Sequence, residues 1–351
     1  MKISILTFSK ETNFGANLQC YALQKVLKDW GHSVNIIDIQ LKRYTMPWYS
    51  VILRIPMLWL FQRFRKQHLN CFTKSYRSVI DLINHCPQSD LYIVGSDQVW
   101  NPRITKRLDP LVYFFSFLPQ HAKRISYAAS FGTEKWGFPE LTPKIKPLLD
   151  QFYAISVRED TGINICKDTF GVNAIQVLDP TLLLSSYNDI CGQYDKSKEK
   201  KELIYYTFKH DTHIQKVLAN FAKAHNLQAV VLRSNRPYPN FKIRYYVSVK
   251  NWLNSIRYSQ IIVTTSFHCM VFCILFHKKF VVVPGKRAIG TRMDSLATYL
   301  GLSSFLCHKI ENLYQVLEKA LTVVIDYNEI DKKIEKRRKE SLSFLRESCN
   351  F

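Results

Sequence analysis

The chain has 351 residues, with 49 Lys and Arg against 28 Asp and Glu, a formal net charge of +21. A hydrophobic content of 47% with 13% aromatic residues excludes a disordered chain, and the length allows two domains with buried cores. The charge favours anionic partners. No zinc-ligand spacing, ribonucleoprotein aromatic motif or helix-turn-helix signature accompanies it, so nucleic acid is not the expected partner; an anionic substrate or membrane surface is.

Residues 2–8 read as a first strand rather than a signal peptide, because no long apolar core or small-residue cleavage site follows. The loop 9–16 carries Asn13-Phe14-Gly15-Ala16-Asn17-Leu18-Gln19 into a helix over 17–30 that Gly31 closes. Gly15 allows close backbone approach, but without G-x-G-x-x-G a dinucleotide site is unsupported. Asn13, Gly15, Asn17 and Gln19 are candidate ligand contacts at a strand end. A strand at 33–38 leads to segment 43–66, where aromatic residues mix with arginines. Its apolar stretch is too short for a bilayer span and suits either the headgroup region or packing on its own domain.

A helix at 76–85 precedes strand 91–94, which opens into Gly95-Ser96-Asp97-Gln98-Val99-Trp100-Asn101-Pro102. Ser96, Asp97, Gln98 and Trp100 offer polar groups and a flat ring, as sugar recognition requires; an Asp-capped turn over a core tryptophan is the equal alternative. Strands follow at 112–115 and 125–129, then a helix near 143–152, a strand at 154–157, a helix at 159–169 and a strand at 174–177. Arg158 at the start of a helix opposes the helix dipole and points to an anionic partner.

The charged stretch 185–201 reads as a linker between an N-terminal domain, 1–184, and a C-terminal domain, 202–325. The alternation restarts with strand 203–208, helix 212–225, strand 228–232, helix 249–258 and strand 260–264. It continues with helix 267–276, strand 279–283 and helix 293–300. The spacing predicts an α/β fold of two Rossmann-like domains facing a cleft, closed by a helix in 326–351 that packs back on the first domain.

Ile261-Ile262-Val263 breaks into Thr264-Thr265-Ser266-Phe267-His268 before an apolar helix. His268 at such a strand end is placed for proton transfer; the alternative is a satisfied core histidine behind a Ser266 cap. Arg287 and Arg292, in a Gly- and Arg-bearing loop, suit two-pronged binding of phosphate or carboxylate, with a solvated basic loop as the equal alternative. His210 and His213 lack a third ligand, so no metal is expected. Nine cysteines without a Cys-x-x-Cys pair read as reduced thiols of a cytoplasmic protein.

In order along the chain, Asn13–Gln19 with Tyr21-Ala22-Leu23-Gln24, Val94–Asn101, Ser126-Tyr127-Ala128-Ala129-Ser130-Phe131-Gly132, Ser156-Val157-Arg158-Glu159, Leu178-Asp179-Pro180-Thr181, Ser266-Phe267-His268 and Arg292 resemble the polysaccharide pyruvyl transferase family. The resemblance implies a glycosyltransferase-B-like fold and transfer of pyruvate from phosphoenolpyruvate, as co-substrate and without further cofactor, onto a sugar diol as a cyclic ketal. The setting it implies is capsule, exopolysaccharide or O-antigen biosynthesis. It places His268 as acid/base and Arg292, Arg158, Ser266 and Arg287 at the donor. The loops bearing Asn13, Gly15, Asn17, Gln19, Ser96, Asp97, Gln98 and Trp100 fall to the acceptor. Ketal-forming members carry Arg-x-His where this chain has Ser266-Phe267-His268, so another arginine stands in or the donor differs. A lipid-linked oligosaccharide acceptor, with peripheral contact to the inner face of the plasma membrane, would fit the basic charge. The rival readings are a nucleotide-sugar glycosyltransferase and a silent binding module in polysaccharide assembly.

Overall fold

Strand β1 (Lys2–Leu6) is buried beyond its first residue, which is the pattern of a parallel strand covered on both faces. The computed structural model describes residues 1–40, 54–105, 109–234, 236–285 and 290–349. They divide into two units, one from residues of 1–53, 65–184 and 335–351, the other from 54–64 and 185–334.

In the first unit, β1 joins β2 (Ser33–Ile39), β3 (Phe72–Tyr76), β4 (Leu91–Val94), β5 (Arg124–Ala129), β6 (Ala154–Val157) and β7 (Ile175–Gln176). All pair in parallel, in the order β3-β2-β1-β4-β5-β6-β7. The strand order reverses direction between β1 and β4, where α/β sheets open a crevice at the carboxyl ends of their strands. Under β4 and β5 lies an aromatic core: Trp100 stacks on Phe114 at 5.2 Å and meets Phe131 and Phe152.

Two expectations are corrected here. The apolar run 112–115 is a 3-10 helix, Pro110–Phe114, not a strand. Asp109 accepts a hydrogen bond from the Leu111 N–H, and Pro110 fixes the first helical φ, so the chain turns where its hydrophobicity alone permits either form. The first helix starts at Phe14, three residues earlier than expected, because the Asn13 side chain caps it by accepting from the Ala16 N–H.

The second unit pairs β8 (Glu202–Tyr206), β9 (Gln228–Leu232), β10 (Lys242–Arg244), β11 (Ile261–Thr264) and β12 (Lys279–Val282) in parallel, in the order β10-β9-β8-β11-β12. Its reversal falls between β8 and β11. The helix Phe267–Leu275 behind β11 is buried from Phe267 to Ile274 and forms the apolar centre of this unit. The 23-residue helix Tyr327–Cys349 ends the fold. In the first unit Arg338 Nε donates to the Leu182 carbonyl, Ser341 Oγ accepts from the Leu178 N–H, and Arg346 lies over Trp30. All nine cysteines are free thiols.

Candidate functional site

In the first unit the crevice between β1 and β4 is closed by hydrogen bonds. Thr7 Oγ1 donates to the Ser96 carbonyl at 2.6 Å, and Gln19 Nε2 donates to Thr7 Oγ1. A side chain at Gly95 would bring its Cβ within 3.1 Å of Thr7, so glycine permits the approach. Two residues on, Asp97 holds φ at +81°, a left-handed conformation that costs free energy in a non-glycine residue and collects at functional strand ends.

Behind Asp97 lies a buried charge cluster. Arg158 Nη1 donates to Asp179 Oδ2 at 2.6 Å and to Ser96 Oγ, and Arg158 Nη2 stands 3.8 Å from Asp97. Burial opposes the Arg158 charge, but the carboxylates of Asp179, Asp97 and Glu159 outweigh it and hold the guanidinium above its ordinary value. Glu159 Oε1 accepts from Ser130 Oγ and the Gly132 N–H, tying the loop after β5 to the carboxyl end of β6.

The candidate residues of this unit therefore divide by occupation. Ser96, Asp97 and Arg158 are brought together. Asn13 caps a helix; Asn17 donates to the Glu11 and Asn13 carbonyls; Gln19 donates to the Phe8 and Ala16 carbonyls; Gly15 is buried beside them. These side chains shape the β1 loop. Gln98 accepts from Asn101 and covers Gly132. Trp100 presents no face to a sugar: it is 0% exposed, and its indole N–H donates to the Tyr113 carbonyl. A turn with a core tryptophan is the geometry found. Arg158 faces two carboxylates rather than an open anion site.

In the second unit the β8–β11 reversal is built alike. Thr264 Oγ1 and the Thr265 N–H both donate to the Tyr206 carbonyl, and Thr265 Oγ1 accepts from the Phe208 N–H. Ser266 caps the helix Phe267–Leu275, accepting from the Cys269 N–H, so its hydroxyl is spent on the backbone. His268, 6% exposed, follows in the first turn with its ring edge-on to Phe267 at 5.3 Å. The Arg292 guanidinium lies 5.5 Å from the centre of the same Phe267 ring. Phe267 thus carries the histidine and the cation together. Arg292 is the second residue of the helix Thr291–Leu300, whose N-cap is Gly290; Thr291 Oγ1 is buried with no hydrogen-bond partner among the described residues. Arg287 and residues 43–53 lie outside the described residues.

Two residues missed by the sequence reading join this end of the sheet. Arg233 follows β9 with φ of +59° and places its guanidinium over Phe61 at 5.7 Å. Burial draws it below the ordinary arginine value, the Tyr206 hydroxyl opposes that, and the charge of Arg54 adds to it. Tyr206 is itself buried beside Arg233 and Cys269, the neighbour of His268. A lone Arg between strand and loop gives no pattern in sequence. Asp179 was legible only as a turn residue.

Comparison with known proteins now adds to this geometry. The family model for polysaccharide pyruvyl transferase matches residues 13–287. The chain belongs to the polysaccharide pyruvyl transferase family. None of the curated proteins compared matches the sequence. Among solved structures, the UDP-GlcNAc 2-epimerase from Neisseria meningitidis bound to UDP-GlcNAc is similar at a TM-score of 0.58 and 10% identity, covering 99% of both chains. The Methanocaldococcus jannaschii UDP-GlcNAc 2-epimerase gives 0.55 and 10%, covering 96% of this chain and 99% of that one. An alpha-glucosyltransferase in complex with UDP gives 0.53 and 10%, covering 97% and 95%. At such identity these likenesses establish the fold, that of glycosyltransferase-B enzymes and epimerases. This polysaccharide pyruvyl transferase family member is thus a transferase of that fold, with no described helix long and apolar enough to cross a membrane.

Proposed function

We propose that this transferase moves pyruvate from phosphoenolpyruvate onto two hydroxyls of a sugar in an exopolysaccharide, capsule or O-antigen intermediate. The observation that carries the reading is the Phe267 ring, which a buried histidine and an arginine both contact at a strand end.

The chemistry follows from that pair. The His268 imidazolium gives its proton to the methylene carbon of the enol, leaving a methyl group and a cationic centre at the adjacent carbon. One sugar hydroxyl adds there and surrenders its proton to the neutral imidazole. Phosphate departs with the C–O bonding pair, and the second hydroxyl closes the ketal as its proton passes to the departing phosphate. One donor and one diol give one ketal and one phosphate. Arg292 and Arg233 supply positive charge for the donor carboxylate and phosphate, the task that Ser266 cannot perform. The role left to Arg158 is positioning: it holds Ser96 and Asp97 at the end of β4.

Titration calorimetry with phosphoenolpyruvate tests this. Arg292→Lys is expected to weaken binding more than tenfold, about 1.4 kcal/mol, because a point charge cannot reproduce the guanidinium fork over Phe267. Arg233→Ala should weaken it similarly. The UDP-bound structural neighbours favour one rival, a nucleotide-sugar donor. Saturable binding of a nucleotide sugar, with none of phosphoenolpyruvate, would decide for it.

A further inference from the structure

The amino-terminal end of the second sheet, opposite the end that bears His268, has no part in that chemistry. Two recesses adjoin there. One, of about 610 Å³, runs along edge strand β10 and the helix Val249–Tyr258 and is lined by Lys198, Lys200, Lys242 and Arg244 with Asn254 and Tyr258. The other, of about 620 Å³, lies at the starts of β8 and β12 and is lined by Lys200, Lys201, Lys278 and Lys279. Lys200 and Tyr258 belong to both.

Seven cationic side chains thus face two acidic ones, and both acids are already engaged: Glu202 by Arg244, Glu199 by Lys278 and the Tyr194 hydroxyl. Arg244 is fixed further by donating to Ser255 Oγ at 3.1 Å. In the first recess Asn254 Oδ1 is buried without a hydrogen-bond partner among the described residues. Tyr246 lines the first recess and Tyr194 stacks on Tyr258, and both are at least half exposed. Lysines ringing a recess bind phosphate, and exposed tyrosines between them suit the headgroup level of a bilayer, where a ring sits half in apolar surroundings.

We propose that this end of the second unit is a docking surface for an anionic phospholipid bilayer, its recesses receiving headgroup phosphates. The surface spans two recesses with a shared lysine, so it takes several phosphates at once, as a bilayer presents them. Each lysine near such a surface adds to the attraction. The inference stands independently of the donor chemistry, since its residues lie at the other end of the sheet.

The test is co-sedimentation of the full chain with vesicles of phosphatidylcholine, with and without phosphatidylglycerol. The protein should bind only the phosphatidylglycerol vesicles, and less as salt rises. The triple variant Lys198→Glu, Lys200→Glu, Lys242→Glu, all exposed side chains, should bind at least tenfold more weakly with an unchanged melting temperature. If it melts lower, the corresponding Lys→Gln variant replaces it and should show the same loss. Retained binding by the folded variant overturns the proposal. So does binding of soluble pyrophosphate or duplex DNA by a protein that ignores the vesicles. Loss of binding in Trp59→Ala with full binding by the triple variant would also overturn it, moving the contact to the helix Ile55–His68.

Discussion

Replacing His268 with alanine is expected to leave a folded protein whose turnover falls by about 10²–10⁴-fold, the range that a positioned acid/base supplies. The ring sits in the first turn of a buried helix, held at its edge by Phe267, and none of that helix's backbone hydrogen bonds involves the imidazole. Truncation therefore removes a proton carrier and leaves the cap at Ser266 in place. Phosphate release from phosphoenolpyruvate in the presence of acceptor is the measurement, read together with the unfolding midpoint. Unchanged release would make this a binding module and remove the acid/base assignment. Retained donor affinity with lost turnover would confine His268 to the transition state.

The second large effect is on stability. Asp179→Ala should cost about 3–5 kcal/mol, the range for removing one partner of a buried ion pair. Asp179 and Arg158 are both almost wholly buried, 2.6 Å apart, and Asp179 also accepts from Ser96 Oγ, Thr181 Oγ1 and the Thr181 N–H. Deletion strands the guanidinium with Asp97 at 3.8 Å as its nearer remaining carboxylate. That residual attraction places the expectation in the lower half of the range. Urea unfolding measures it, and a loss below 1 kcal/mol would show that water or Asp97 takes over. Replacing Arg158 and Asp179 together by Met and Leu should cost less than the single change, because neither member of the pair is then left buried without the other.

Both effects concern residues whose neighbourhoods were unequally legible in the sequence. Strand ends where an apolar run breaks into polar residues, Val94-Gly95-Ser96 and Val263-Thr264-Thr265, mark the two crevices because buried parallel strands are apolar throughout and stop abruptly. Ser266 as cap and His268 in the first turn follow from the same local rule. Edge strands β3 and β10 do not stand out, since Phe72–Tyr76 and Lys242–Arg244 are half solvated and carry no run of apolar residues. Trp100 shows a different limit. An indole beside polar residues satisfies the pattern of a sugar platform and of a core ring alike, and only the stack on Phe114 distinguishes them. Arg158 shows a third, because its carboxylate partner comes from Asp179, on a turn 21 residues away.

The free cysteines make the protein a reporter of its own opening. Burial lifts the Cys166 thiol to about 12 and Cys307 to about 11, and raises Cys20 and Cys273 further. At pH 8 a thiol of pKa 12 is thiolate in roughly one molecule in ten thousand, whereas an unfolded one, near 8.5, is about a quarter ionised. Alkylation is thus switched on by exposure at each site. Because Cys20 and Cys166 belong to one unit and Cys273 and Cys307 to the other, the order in which mass spectrometry finds them labelled under mild denaturant would time the opening of each sheet separately, with no residue changed.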